Sequence, residues 1–190
     1  MAVCCGVTCG AKNSVRSVTD KRGIIPNRQS IEHRPAIVDE RCRLGDWEAD
    51  TIIGKRHRQA IVSLVERKSG YTLIHKVDRK TAHAVGDAMT QLLKPHTGKV
   101  HTITSDNGME FARHKQVSQQ LDADFYFAHP YASWERGTNE NTNGLIRQYF
   151  PKNRDFTTIT QQEIDRVMHR LNNRPRKRLG FQSPNQVFFN

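Results

Sequence analysis

Residues 45–77 read GDWEADTIIGKRHRQAIVSLVERKSGYTLIHKV and determine the fold class. Three runs in this stretch, 45–54, 59–67 and 70–77, are rich in Ile, Val, Thr, Leu or Tyr and are bounded by Gly, basic residues or Ser-Gly. Such runs predict β-strands. A hairpin turn joins the second run to the third through 68–70. The sequence therefore predicts a sheet that begins with a three-stranded meander.

Downstream of the meander, helical and strand patterns alternate. Thr81, Ser133 and Thr160 are suitable N-cap residues for three helices that run to about Leu93, Tyr149 and Asn173. Further patterns predict strands over 99–106 and 123–128 and a helix over 110–121. The order is βββαβαβα followed by another helix. It predicts an α/β fold, a mixed five-stranded sheet flanked by helices.

Charge and punctuation divide the chain into three regions. We expect a basic, irregular N-terminal arm over 1–44, a core domain over 45–155 and a C-terminal helical extension of the core over 156–190. Pro26 and Pro35 argue against a continuous helix in the arm. The net charge is +4 over 1–44, +1 over 45–146 and +6 over 147–190. The excess positive charge therefore lies in the flanks.

Length and composition bound the function classes. The 190 residues carry a net charge of +11 with a pI near 9.9, which favours a polyanionic partner. No run of about 18 apolar residues exists, and the first residues do not resemble a signal peptide. The four cysteines form no CxxC pair, so zinc is disfavoured and a reducing, cytoplasmic compartment is expected. A basic ribosomal-type protein is disfavoured by the nearly neutral middle.

Three carboxylates are candidate metal ligands. Asp50 lies in the first strand, where an acid is costly unless it is paired or binds a metal. Asp106 follows the fourth strand, and Glu140 lies on the helix after the fifth. If the first and fourth strands are neighbours, these oxygens suit Mg²⁺ or Mn²⁺. Each residue also has an ordinary interpretation: a strand register off by one residue, an Asp-Asn-Gly turn, or a solvated helix face.

The helix that carries Glu140 has further polar residues at helical spacing. Glu140, Asn143, Gly144 and Arg147 fall at i, i+3, i+4 and i+7 and share one side. This stripe is a plausible wall for a DNA strand, and an ordinary polar helix face is the alternative.

Longer motifs resemble a known family. TSDNGMEF at 104–111 and HPYASWERGTNENTNGLIRQYFP at 129–151 are similar to signatures of the IS-thirty-type insertion-sequence transposases, which belong to the DDE integrase superfamily with a ribonuclease-H-like core. GDWEADTIIG resembles the family's first acidic motif, and LNNRPRKRLGFQSPNQVF at 171–188 resembles its C-terminal segment. The spacing of 33 residues between Asp106 and Glu140 agrees with the family.

The resemblance implies roles for individual residues. It makes Asp50, Asp106 and Glu140 the catalytic ligands of two Mg²⁺ or Mn²⁺ ions. Asp46 competes for the first position, but Trp47 three residues before Asp50 matches the integrase pattern WxxD. Glu135 competes with Glu140 at a spacing that does not fit. Asn107 and Gly108 would shape the turn after Asp106. The residues implied to contact DNA are Asn107, Asn143, Arg147, Arg174, Arg176, Lys177 and Arg178.

The resemblance also implies an activity. Water would hydrolyse a phosphodiester at an element end, and the freed 3′-hydroxyl would then attack target DNA. The implied partner is therefore DNA. The resemblance also implies that the active form is a homo-oligomer associated with the nucleoid in the cytoplasm of a prokaryote. The family's helix-turn-helix is not recognisable in 1–44, so we expect a truncated copy with reduced end specificity. Two alternatives remain open: a catalytically idle DNA-binding fragment that inhibits full-length transposase, and a ribonuclease-H-like nuclease.

Overall fold

A computed structural model of the chain describes residues 25–55 and 58–190. Its centre is a five-stranded sheet in the order β3-β2-β1-β4-β5. The strands are β1 (Asp46–Ile53), β2 (Ala60–Glu66), β3 (Thr72–Val77), β4 (Thr102–Ser105) and β5 (Asp124–Phe127). β1, β2 and β3 pair antiparallel, while β4 lies parallel to both β1 and β5. The mixed sheet confirms the predicted fold class and makes β1 and β4 neighbours.

Helices cover both faces of the sheet. They are α1 (Ile37–Glu40), α2 (Ala82–Leu93), α3 (His114–Leu121), α4 (Gly137–Tyr149), α5 (Gln161–Asn173) and α6 (Pro184–Phe189). Alternation along β1 assigns its side chains to two cores. Trp47 and Ala49 pack with residues of α2, α3 and α6, whereas Ile52 packs with residues of α4 and α5. Asp50 therefore shares the α4 face of the sheet.

Several boundaries differ from the sequence predictions. The helix predicted over 110–121 begins at His114, after a 3-10 turn over Met109–Phe111. The helix predicted to start at Ser133 is a 3-10 turn over Ser133–Arg136, and its α-helical part begins at Gly137. The fourth strand is shorter than predicted because residues Lys94–Lys99 continue the preceding helix as 3-10 turns.

The predicted arm is only partly within the described residues. Cys4, Cys5, Cys9 and the rest of 1–24 lie outside them. Cys42 is a free, exposed thiol. From Gln29 onward the arm follows the edge of the sheet, where the backbone N–H of Phe127 donates to the Gln29 carbonyl. Within the described ranges, no helix is both long and apolar enough for a membrane span.

Candidate active site

Two of the three predicted carboxylates converge on the neighbouring strands β1 and β4. Asp50 lies in the second half of β1 and Asp106 directly follows β4, so the two acids lie side by side on adjacent parallel strands. The guanidinium of Arg136 joins them: Nη1 lies 3.4 Å from Oδ2 of Asp50, and Nη2 lies 3.5 Å from Oδ2 of Asp106. The pair thus shares one cation, which the sequence interpretation did not include.

Hydrogen bonds fix the orientation of both acids. Oδ1 of Asp50 accepts from the Thr51 N–H at 2.7 Å, and its Oδ2 accepts from Nδ2 of Asn143 at 2.9 Å. Oδ1 of Asp106 accepts from the Gly108 N–H at 2.9 Å, which closes a tight turn after the strand. Each carboxylate therefore arrives at the site with part of its hydrogen bonding already satisfied.

The environment of Asp50 disfavours its charged form. Burial raises the pKa of the Asp50 carboxyl above its ordinary value, and the negative charges of Asp106 and Glu110 act in the same direction. Arg136 and the Thr51 N–H lower the pKa and offset part of that effect. An additional cation near the pair would stabilise the ionised form further.

Glu140 does not join the pair in this structure. It is exposed on α4 and lines a shallow hollow on the outer side of that helix. Its neighbours on the helix, Asn139 and Asn143, are turned to the sheet, where Asn143 contacts Asp50 and Ser63. In the ranges that the structure describes, no three His, Cys, Asp or Glu side chains form a metal-binding group.

The two competing acids are engaged elsewhere. Asp46 is buried at the start of β1, accepts from Nε and Nη2 of Arg43 at 2.9 Å each, and lies four residues, or about 13 Å of strand, from Asp50. Glu135 accepts from the backbone N–H and Nδ1 of His129. The structure therefore brings Asp50, rather than Asp46, to Asp106.

Several predicted DNA contacts are used inside the protein. Arg147 donates from Nη1 to the carbonyl oxygen of Ile53 at 2.9 Å, and burial lowers the pKa of its guanidinium. Asn143 was predicted to face DNA, but its amide group bridges α4 to β1 and β2. Asn107 donates to the Ala128 carbonyl and accepts from Arg28. These contacts build the site, and direct DNA contacts by these residues stay predictions.

The C-terminal cations lie after α5. Arg174 and Lys177 are exposed, Arg176 is partly buried, and Arg178 donates from Nη1 to the carbonyl oxygen of Lys68 at 3.0 Å. They lie close to α4, since Arg176, Lys177 and Arg178 line one groove with Gly137 and Thr138.

Sequence reasoning missed a buried acid beside the pair. Glu110 lies in the 3-10 turn after Asp106, and its Oε1 accepts from the hydroxyl of Thr51 at 2.8 Å and pairs with Nζ of Lys80 at 2.7 Å. Gly108 leaves no room for a Cβ because that atom would touch the Glu110 carboxylate. Nothing in the spacing of the Ser-Asp-Asn-Gly-Met-Glu motif predicts that the Glu110 side chain turns back toward the two aspartates.

The family comparison agrees with this geometry. The integrase core domain family matches residues 40–133, which hold all five strands together with Asp50 and Asp106. These residues form an integrase core domain. The transposase for insertion sequence element IS4351 of Bacteroides fragilis is 50% identical over 167 residues, which are 88% of this chain and 51% of that protein. The transposase InsI for element IS30A of Escherichia coli K12 is 42% identical over 164 residues, 86% of this chain and 43% of that protein.

This integrase core is also similar to solved structures of retroviral cores. The catalytic core domain of BIV integrase superposes with a TM-score of 0.58 at 22% identity, over 76% of this chain and 93% of that one. The HTLV-2 integrase core in complex with magnesium superposes at 0.59 and 18% identity, over 77% and 97%. These likenesses establish the ribonuclease-H-like fold. The chain spans about half the length of the curated relatives it matches.

Proposed function

We propose that this chain is the catalytic core of a DDE transposase, which cleaves a DNA strand and transfers the freed 3′ end to a target strand. The observation that carries the proposal is the convergence of Asp50 on β1 and Asp106 at the end of β4 around Arg136. The high identity to two transposases of insertion sequences supports the choice of reaction and of DNA as partner. We also propose that the active form contains more than one copy of the chain.

The donor set fits a divalent metal ion. Two carboxylates already share one cation, Arg136, and the pKa of Asp50 is raised by burial, so the pair favours additional positive charge. Oxygen-rich sites of this kind suit Mg²⁺ or Mn²⁺. Asp50 and Asp106 would hold the metal, and we propose Glu140 as the third ligand and two ions in the active complex. Bound metal supplies activation of the attacking oxygen and stabilisation of the leaving oxygen.

The other residues of the site hold the two acids in place. Asn143 and the Thr51 N–H orient Asp50, and the Gly108 N–H orients Asp106. The DNA backbone would lie against the cations Arg174, Arg176, Lys177 and Arg178, with Arg147 and Asn107 closer to the acids. No side chain is assigned a covalent role, because two successive attacks at phosphorus need none.

The test is cleavage of a labelled DNA duplex by the purified chain with Mn²⁺ or Mg²⁺. Asp50→Asn, Asp106→Asn and Glu140→Gln are each expected to lower the rate by more than about 100-fold, since even the outer partners of metal ligands contribute 10- to 100-fold. Glu135→Gln is the matched control and is expected to keep cleavage. Retained cleavage in any of the three variants, with an unchanged fold, would remove that residue from the site.

A second candidate function is a DNA-binding fragment without catalysis. The exposed position of Glu140, away from the two aspartates, favours it. Binding of DNA with no cleavage under any divalent metal would select this alternative.

Cleavage of an RNA–DNA hybrid in preference to a DNA end would instead select a ribonuclease-H-like nuclease. Comparison of duplexes with and without terminal inverted repeats tests the prediction of reduced end specificity.

A further inference from the structure

A groove on the side of α4 is lined by cations from separate parts of the chain. It has a volume of about 380 Å³. Arg41 comes from the end of α1, and Arg176, Lys177 and Arg178 come from the segment after α5. No acidic residue is found among the described residues that line it. Folding therefore gathers like charges from positions more than 130 residues apart in sequence.

Two of these cations are held in place by the fold. Arg178 donates to the carbonyl oxygen of Lys68, and its guanidinium lies over the β2–β3 turn at Gly70, where a Cβ would collide with it. Arg176 donates from Nη2 to the carbonyl oxygen of Leu171 at 3.2 Å. Each of these contacts uses one nitrogen of a guanidinium that has five N–H donors, so further donors stay available.

Among the described residues, no acidic side chain lies within ion-pair distance of the groove cations. None of the four forms an ion pair with another residue in the described ranges. Burial lowers the pKa of Arg178, and the charge of Arg41 lowers it further; burial, Arg174 and Arg178 do the same for Arg176. Glu66 lies nearby, but its carboxylate accepts from the N–H groups of Gly45, Lys68 and Ser69 and from the Ser69 hydroxyl. The charges of Glu66 and Glu48 raise the pKa of Arg178 and oppose part of the repulsion, whereas the causes that act on Arg176 all lower its pKa.

The first turn of α4 adds an unsatisfied polar group. Thr138 lines the groove, is 8% exposed, and its Oγ1 has no hydrogen-bond partner among the described residues. Buried hydroxyls without a partner are rare in folded proteins. Cations that have no acidic partner among the described residues and lie together at one place indicate a ligand with several anionic oxygens.

The groove is continuous with the hollow at Glu140. The two concavities share Gly137 and Asn141, and the second has a volume of about 510 Å³. Gly137 directly follows Arg136, which contacts both aspartates of the site. A polymer that lies in the groove would therefore pass along α4 beside the proposed active site.

We propose that this groove, lined by Arg41, Arg176, Lys177, Arg178 and Thr138, binds the sugar–phosphate backbone of DNA next to the reacting phosphate. Phosphodiesters supply the repeated anionic oxygens that the cations lack, and contacts of this kind position DNA without reading its sequence. Arg41 is a new member of the DNA surface. The choice of DNA over other polyanions rests on the proposed function.

The experiment is a titration of a short labelled duplex of arbitrary sequence in EDTA, at several salt concentrations. The double variant Arg41→Gln/Lys177→Gln is the test, because both residues are exposed and make no ion pair with a described residue. Arg166→Gln/Arg170→Gln on α5 removes the same charge from exposed positions outside the groove and is the matched control. Circular dichroism checks that both variants keep the fold.

We expect the test variant to lose at least about tenfold in affinity and the slope of log K against log[salt] to fall by about 2, one for each phosphate contact. The control is expected to keep the slope of the wild type. Equal losses in both variants, no loss in either, or tighter binding of duplex RNA than of DNA would overturn the assignment. The assay contains no divalent metal. If the groove variant lowers the slope of log K against log[salt] as expected, but a separate assay shows no cleavage, the proposed function is rejected and the DNA-binding groove is kept.

Discussion

At the residue scale, the site consists of two acidic side chains and one cationic side chain that contacts both. Asp50 and Asp106 approach each other at the end of adjacent strands, and Arg136 lies between them with 12% of its side chain exposed. Burial and the neighbouring acids raise the pKa of Asp50, and Arg136 opposes them. A sequence pattern finds the two acids because each follows or lies in a strand. It does not find Arg136, whose role depends on where the turn before α4 folds.

A second titratable contact lies in the segment that leads to Arg136. Nδ1 of His129 lies 2.8 Å from Oε1 of Glu135, and its Nε2 lies 3.1 Å from Oε1 of Glu32 in the arm. These hydrogen bonds raise the pKa of His129 above 6.5. The protonated contact is therefore fully present below the ordinary histidine pKa and is lost as pH rises through the higher folded value.

The prediction is that NMR titration gives His129 a pKa above 6.5, with the resonance assigned through His129→Gln. Glu135→Gln is expected to lower that pKa, because it removes the stronger of the two acceptors. A His129 pKa at or below 6.5 in the wild type would show that the arm and this segment are not joined through the imidazolium.

At the element scale, a buried ion pair attaches α4 to β1. Oε2 of Glu48 accepts from the Asn139 N–H in the first turn of α4 at 2.8 Å, and its Oε1 pairs with Nη1 of Arg67 at 2.7 Å. Glu48 is 0% and Arg67 4% exposed. Glu48 and Asp50 lie on the same face of β1, so this cap also sets the position of the helix over the site.

We expect Glu48→Gln to lower the free energy of unfolding by about 3 kcal/mol, because it leaves the buried Arg67 charge with only the exposed Asp39 as its acidic partner. The control is Asp78→Asn in the exposed pair with Lys76, which is expected to cost less than about 1 kcal/mol. Urea unfolding measures both. Equal losses in the two variants would show that the buried pair does not anchor α4.

The elements also show which predictions were possible from sequence. The helix over 161–173 was predicted with its observed bounds because its cap and its apolar spacing are local: Thr160 accepts from the Glu163 N–H, and Ile164, Val167 and Leu171 are buried. The stripe on α4 was correct in spacing but not in orientation. A rotation of one residue about the helix axis decides whether Asn139 or Glu140 faces the sheet, and only tertiary packing sets it.

At the scale of the whole molecule, the last helix completes the core around β1. The Phe188 ring stacks on Tyr71 at 4.3 Å between centroids and meets Trp47 edge-on at 5.7 Å. Phe188 is 0% exposed, whereas its neighbour Phe189 is 59% exposed. No helix was predicted here from the sequence, although Ser183 and Gln186 form a capping box with Pro184 in the first turn.

Phe188→Ala is therefore expected to lower the free energy of unfolding by about 3–5 kcal/mol, since it opens a cavity between Trp47 and Tyr71. Phe189→Ala, one residue on, is the matched control and is expected to change stability little. Thermal or urea unfolding compares them. A loss in Phe188→Ala no larger than in the control would mean that α6 is not part of the core.

The pairing of distant strands could be assumed from sequence but not established. β1 and β4 are neighbours although 55 residues lie between Asp46 and its partner Thr102. No local pattern encodes such a pairing, because it depends on how α2 crosses the sheet. The convergence of Asp50 and Asp106 follows from it.

The most direct test of the account is a crystal structure of the chain soaked in Mn²⁺, with an anomalous difference map at the active site. The account predicts a manganese peak in contact with the carboxylates of both Asp50 and Asp106, and its loss in Asp50→Asn. A map with no peak there, while the same preparation cleaves DNA with Mn²⁺, would contradict the assignment of these two acids as the metal centre.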